Sequence, residues 1–295
     1  MHSPSVASPF RTPQSTSSVR ASIYKTPAEL RSMVAPGVLT AAALEAVRLG
    51  IRAGVTTLEL DSIAERIIRD GGGEPNFMLE PGYRHTICAS VNAAIVHGVP
   101  NDRPLEPGDL VSIDCGAIVD GWNGDAAFSV VVPDPDRPEH VAEMQRLADA
   151  TERSLWAGIA ALADARHLND IGGEIEDVIT AADPTWGIIE DFVGHGIGRS
   201  MHEEPPVFNY RVRERGPRVK PGLVVAIEPM VTQGTIESHV LADDWTIVTD
   251  DGGAAAHWEH TIVVHAGGIW VLTAADGGAA QLAALGVVPV PLPQG

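Results

Sequence analysis

Apolar residues recur at helical spacing in two places along the chain. Each recurrence is followed by a short apolar run that ends on a carboxylate. Leu60, Ala64, Ile67 and Ile68 form a stripe at offsets 0, 4, 7 and 8, and Ile171, Ile175, Val178 and Ile179 repeat it 111 residues later. Such spacing marks the buried face of an amphipathic helix. Thr56 and Glu59 have the spacing of a capping box at the start of the first stripe. Residues 107–114 (Pro-Gly-Asp-Leu-Val-Ser-Ile-Asp) and 221–228 (Pro-Gly-Leu-Val-Val-Ala-Ile-Glu) carry the second pattern, 114 residues apart. In each, a Pro-Gly turn launches an apolar strand that delivers a carboxylate seven positions after the proline. Two patterns repeated at nearly one offset predict a duplicated architecture. A carboxylate at the end of a buried strand must be paired, protonated or bound to metal, because an unpaired buried charge is costly. The duplication therefore aims Asp114 and Glu228 at one shared centre.

The remaining pattern places a first helix over 27–35 and a second over 38–53. Beyond residue 84 the chain becomes β-rich, with strands expected over 85–91, 95–97, 109–119 and 125–132 between Gly, Pro and Asn turns. Residues 133–139 form a hinge-like connector, followed by helices over 139–163 and 170–182 and further strands to about residue 272. This order predicts an α+β domain of two similar halves, occupying residues 23–295. Residues 1–22, rich in Ser, Pro and Thr and carrying Arg11 and Arg20 without an acidic residue, have the composition of a disordered tail. The proline-rich end after residue 286 reads as peripheral.

Composition narrows the function classes. With 39 acidic against 20 basic residues the chain carries a net charge of −19, which argues against broad nucleic-acid contact. No uninterrupted apolar run reaches the ~18–20 residues of a membrane span, and the N-terminus lacks the basic-then-apolar order of a secretory signal. The only cysteines, Cys88 and Cys115, show neither CxxC spacing nor a disulfide framework. A reducing, cytoplasmic setting is expected.

Three segments concentrate chemistry-bearing residues. Asp114 is followed eleven residues later by Asp125, within Asp-Gly-Trp-Asn-Gly-Asp. A turn over Gly121–Gly124 would let the two carboxylates face each other on adjacent strands. The alternative is a solvated Asp125, but Ala126, Ala127 and Phe128 follow it directly and favour burial. The stretch Phe192-Val-Gly-His-Gly-Ile-Gly-Arg-Ser-Met-His-Glu-Glu-Pro flanks His195 with glycines, allowing close backbone approach and unusual dihedrals, and places His202 seven residues on. Ala256-His-Trp-Glu-His-Thr-Ile-Val-Val puts Glu259 at the head of an apolar strand; alone it reads as a strand-edge charge. Together, Asp114, Asp125, His195, Glu228 and Glu259 supply four carboxylates and an imidazole, a set suited to hard or borderline divalent metals. Two such ions ~3.5–4 Å apart would neutralise the cluster and give a two-metal hydrolytic site.

These residues, with Val96-His-Gly-Val-Pro, Val207-Phe-Asn-Tyr, Ile227-Glu-Pro-Met-Val and Trp258-Glu-His-Thr-Ile, resemble the type I methionine aminopeptidases over roughly residues 25–275. The resemblance implies a pita-bread fold: two pseudo-symmetric halves around a central antiparallel sheet. It also implies removal of N-terminal methionine from nascent proteins and peptides with a small second residue, by attack of a metal-bridged water or hydroxide. Asp125 and Glu259 would bridge two divalent ions (Co, Mn, Fe or Zn), Asp114 would hold one, and His195 and Glu228 the other. Glu228 would also move a proton, His202 would stabilise the oxyanion, and His97 would lie by the substrate nitrogen. Tyr83, Cys88, Met201 and Trp245 would line the methionine pocket. Met201 stands where an aromatic is common and Ala126 where a hydroxyl is frequent; Phe77 and Glu80 are left without a role. The resemblance favours a monomer, and the basic tail suggests transient ribosome contact. A proline-directed peptidase or a non-catalytic binding module of the same fold are the alternatives. The interval of 26 residues between His202 and Glu228 leaves no room for the insertion typical of type II enzymes.

Overall fold

The computed structural model describes residues 22–293, so the tail expected over 1–22 lies, but for Ser22, outside the described residues. Two capping boxes start the helical layer. Thr26 caps the helix Pro27–Ser32 and Thr56 caps Thr57–Asp70; in each, the Glu three residues on accepts the cap residue's own N–H. The second helix runs Val34–Gly50, with the break at Met33 rather than between 35 and 38 as expected. Pro36 falls in the first turn, where a missing N–H leaves no intrahelical bond unmade. By length and composition the stretch 27–50 could cross a membrane (24 residues, mean hydropathy 1.3). Its Ala43, Leu44 and Val47 instead pack into the core, and the buried Thr40 hydroxyl donates to the Gly124 carbonyl and accepts from the Ala117 N–H.

Beneath these helices lies a long hairpin, Leu110–Val119 with Trp122–Val131. Its turn is the pair Asp120–Gly121, both at positive φ (51° and 72°), with Val119 opposite Trp122. Two residues in the left-handed region match the twist of a tight hairpin. The expected turn over Gly121–Gly124 is thus corrected: Asn123 and Gly124 belong to the second strand. Alternation then sorts the side chains. Ile113, Cys115, Ala117, Ala126 and Phe128 enter the core, while Ser112, Asp114, Gly116, Asp125, Ala127 and Ser129 share the other face. The strand Ile87–Val91 pairs on the far edge and sets Cys88 opposite Asp114.

The second half mirrors this plan with the helices Pro138–Leu162 and Asp170–Ala182 over a five-stranded antiparallel sheet. The strand order is Gly268–Val271, His260–His265, Val224–Ile227, Gly194–Gly196, Glu203–Val207. Both repeated Pro-Gly turns keep glycine at positive φ, 87° at Gly108 and 103° at Gly222. Beyond the turns the copies diverge. Asp114 sits in the middle of a ten-residue strand, whereas Glu228 follows the last residue of a four-residue one.

The halves meet along one seam. Ala127 and Glu259 exchange both backbone hydrogen bonds (3.2 and 3.0 Å). On one side of that bridge Thr261 Oγ1 accepts from the Asp125 N–H and donates to the Asp125 carbonyl (3.1 and 2.7 Å). On the other, Ser129 Oγ does the same for the His257 N–H and carbonyl (2.9 and 2.8 Å). Below the seam one continuous core takes Leu60, Ile68 and Ile113 from the first half and Leu155, Ile171 and Ile175 from the second. The end after residue 286 is less peripheral than its composition suggests. The Val290 N–H donates to the Ile269 carbonyl, and His265 Nε2 donates to the Val290 carbonyl.

Candidate metal centre and adjoining pocket

Strand alternation and the seam converge five sequence-predicted side chains on one buried spot. In the hairpin, Asp125 lies opposite Gly116, which shares a face with Asp114 two residues away. The two carboxylates are therefore diagonal neighbours rather than directly opposed. Across the seam, His195 pairs with Ala226, and Thr261 pairs with the same residue from the other side. Glu228 and Glu259 lie two residues beyond Ala226 and two before Thr261, so both share the face that carries His195. Ligand-capable atoms of Asp125, His195 and Glu259 lie within 4.8 Å of one another, as do those of Glu228, His257 and Glu259. Glu259 belongs to both groups.

The close approach of backbones explains the glycines beside His195. A Cβ on Gly194 would come within 2.4 Å of the Ala226 carbonyl oxygen, and one on Gly196 within 2.2 Å of the Glu204 carbonyl oxygen. Neither glycine adopts positive φ, so the expectation of unusual dihedrals there is not met; steric room is what these positions need. His195 Nδ1 donates to the Gly196 carbonyl (2.9 Å), which fixes the tautomer and leaves Nε2 with its lone pair, 3.4 Å from Glu228 Oε1.

Electrostatics single out the same cluster. Asp114 is pushed well above the usual carboxylate range by burial and by Asp125 and Glu228. Burial takes Asp125 up to about 7. Burial and Asp125 raise Glu228, and burial with Asp125, Glu228 and Asp114 raises Glu259. Desolvation thus acts on all four acids, and like charge adds to it at Asp114, Glu228 and Glu259. One buried oxygen on each of Asp114, Asp125 and Glu259 lacks a hydrogen-bond partner among the described residues. Four crowded carboxylates with orphaned oxygens and an imidazole offering a lone pair fit divalent cations, which would satisfy those oxygens and cancel the repulsion. Burial lowers His195 to about 4, so it is a neutral donor at ordinary pH.

Around this cluster stand the other predicted residues. The rings of His195 and His202 are 4.4 Å apart, and His97, at φ 58°, meets Phe192 edge-on at 5.6 Å. Burial with neighbouring imidazoles lowers His202 to about 2 and His97 to about 3. Both are neutral and offer N–H groups rather than charge. Tyr83, Cys88 and Met201 form one buried apolar cluster, with Trp245 packed on it and its ring 4.9 Å from that of Tyr83. Because Cys88 faces Asp114 across the strands, this cluster adjoins the acids.

Three residues escaped the sequence analysis. Phe77, left without a role there, belongs to the apolar cluster beside Tyr83. His257 has Nε2 3.8 Å from Glu228 Oε2, although its position beside Glu259 in sequence was a usable signal. Asn76 packs its amide over Gly116, where a Cβ would meet it at 2.1–2.5 Å; nothing in the local pattern marks this.

The model of metallopeptidase family M24 matches residues 31–266. A curated relative, methionine aminopeptidase 1 of Mycobacterium tuberculosis, is 46% identical over 253 residues, covering 83% of this chain and 92% of its own. Methionine aminopeptidase 1 of Bacillus subtilis is 39% identical over 251 residues, covering 85% and 98%. Among solved structures, a methionine aminopeptidase from Thermotoga maritima superposes with a TM-score of 0.79 at 35% identity, covering 85% of this chain and 98% of that one.

Proposed function

We propose that this chain, which belongs to metallopeptidase family M24 and has its pita-bread fold, removes the N-terminal methionine from peptides and nascent proteins with a small second residue. The observation that carries the reading is a cluster of four carboxylates and His195, with Asp125, Glu259 and His195 buried, adjoining an apolar cluster of Phe77, Tyr83, Cys88, Met201 and Trp245. A pocket of that lining suits an unbranched thioether chain, since sulfur packs well against aromatic edges.

In this reading Asp114, Asp125, His195, Glu228 and Glu259 would hold two divalent ions. Such ions supply Lewis acidity, polarising the scissile carbonyl and lowering the pKa of water. The protein's side chains do the rest. Glu228, raised by burial and by Asp125, accepts a proton and passes it to the leaving amine. His202 donates its N–H to the oxygen that becomes negative in the tetrahedral state. His97, held neutral, accepts from or donates to the substrate nitrogen. The apolar cluster fixes the first side chain and leaves the second facing a narrow exit.

The setting proposed is the cytoplasm, with the chain acting as a monomer; both cysteines are free and buried, which suits a reducing compartment. Ribosome contact through the arginines of residues 1–22 belongs to the same reading and lies outside the described segment; unchanged ribosome co-sedimentation after deleting that tail removes it. The test of the activity is methionine release from Met-X-Ser peptides by metal-stripped protein reloaded with Co, Mn, Fe or Zn. Release is expected when X is Gly, Ala or Ser and not when X is Leu or Phe. Release of proline-penultimate substrates alone, or no release with any ion, sinks the proposal.

A further inference from the structure

Several of this molecule's arginines are paired with carboxylates. Arg69 pairs with Glu65, Arg137 with Asp134, Arg146 with Asp183, and Arg211 with Glu176 and Asp177. With 39 acidic residues against 20 basic ones, acidic partners outnumber cations on this molecule. Four basic residues without such a partner stand together. Arg166, Arg215, Arg218 and Lys220 line a single cavity of about 930 Å³ with His167, and among the described residues none is within ion-pair distance of a carboxylate. Asp170, the one acid on the lining, has an oxygen engaged by the His167 N–H at 3.1 Å.

The segments that carry these exposed side chains are held by backbone hydrogen bonds. His167 and Arg218 are bridge partners, the Val219 N–H donates to the Arg166 carbonyl (3.1 Å), and the Leu168 N–H donates to the Pro217 carbonyl (2.9 Å). Asn169 Nδ2 donates to the Glu214 carbonyl (2.9 Å). Lys220 Nζ rests 4.0 Å over the ring of Tyr24, whose hydroxyl donates to the Arg218 carbonyl (2.7 Å). The concave wall gathers like charges in one place, which attracts a polyanion.

We propose that this cavity is a binding site for a compact, multiply charged phosphate anion such as inorganic pyrophosphate or the polyphosphate group of a nucleotide. Three guanidinium forks offer the paired donors that match phosphate oxygens. The volume lies within the range of small-ligand sites, about 300–1,000 Å³. The strongly acidic remainder of the molecule repels an extended polyanion, which selects a compact ligand over a length of RNA. None of the lining residues belongs to the carboxylate site.

The test is calorimetric titration of the zinc-loaded full chain with inorganic pyrophosphate at low salt, with zinc content measured afterwards to separate binding from chelation. The Arg215→Ala/Arg218→Ala variant is expected to bind about tenfold or more weakly, given the strength of charge-assisted bonds. Its methionine release from a Met-Ala-Ser peptide should match wild type. If that variant folds poorly by circular dichroism, the single exposed substitution Arg215→Glu carries the same comparison. Equal affinity in wild type and variant, or no binding by wild type at millimolar pyrophosphate, overturns the proposal. Tighter binding of a hexameric RNA than of pyrophosphate overturns the compact-anion assignment.

Discussion

At the residue scale the acids and the imidazoles carry separable jobs, and substitution can tell them apart. Asp125 is 3% exposed, is pushed up to about 7 by burial, and has an oxygen without a hydrogen-bond partner among the described residues. Asp125→Asn keeps the shape and the backbone bonds to Thr261 while removing the charge a cation needs. Bound metal should fall below that of wild type by elemental analysis. Activity should drop by more than about a hundredfold, beyond the loss typical of a ligand's outer partner. Wild-type turnover with full metal content would remove Asp125 from the ligand set. For His202→Ala the metal content should stay unchanged. Because His202 is lowered to about 2, its contribution is a neutral N–H, and losing one oxyanion donor costs about 100–1,000-fold in kcat. Loss of metal in this variant would instead make His202 a ligand.

At the element scale the site depends on how closely strands approach. Gly196 sits where a Cβ would come 2.2 Å from the Glu204 carbonyl oxygen, so Gly196→Ala must displace the Glu203–Val207 strand or tilt His195. Overpacking of this kind costs about 1–3 kcal/mol, and thermal melts should record that loss together with weaker metal binding. A variant as stable as wild type would mean the strand has slack there. This example also shows what could be read from the chain. Gly-His-Gly announced close backbone approach, and the Pro-Gly-strand-carboxylate repeat announced two halves aimed at one centre. The helical stripes announced the buried faces, with Leu60, Ala64 and Ile68 fully buried. What stayed hidden was register. Whether Asp114 faces Asp125 directly or diagonally depends on a two-residue turn, and Asp120–Gly121 overlaps the expected turn over Gly121–Gly124 at Gly121 alone. Asn76 over Gly116 and Phe77 beside Tyr83 were equally illegible, because each is a contact between segments that no local periodicity encodes.

At the scale of the whole molecule, folding concentrates charge that composition only averages. The chain carries −19 overall, yet the acids that matter are the four the seam forces together, and their cost should appear as coupling between pH, metal and stability. All four have folded-state values raised above those of the unfolded chain. Without a cation, the stability each contributes is fully present below its unfolded value, ~4. It is then lost as pH rises through the folded value, about 7 for Asp125. Cation binding has the opposite sign, because it requires the deprotonated carboxylates, so affinity climbs across the same window. His195, lowered to about 4, is already a neutral donor throughout it. His97 and His257, lowered to about 3, His202, lowered to about 2, and His260, lowered to about 4, are likewise neutral across the window. The melting-temperature gap between metal-loaded and chelator-stripped protein should therefore be small near ~pH 5 and widen to its maximum above ~pH 7. Scanning calorimetry across that range measures it directly. A gap that stays constant, or narrows as pH rises, would mean that the four carboxyls do not hold the metal.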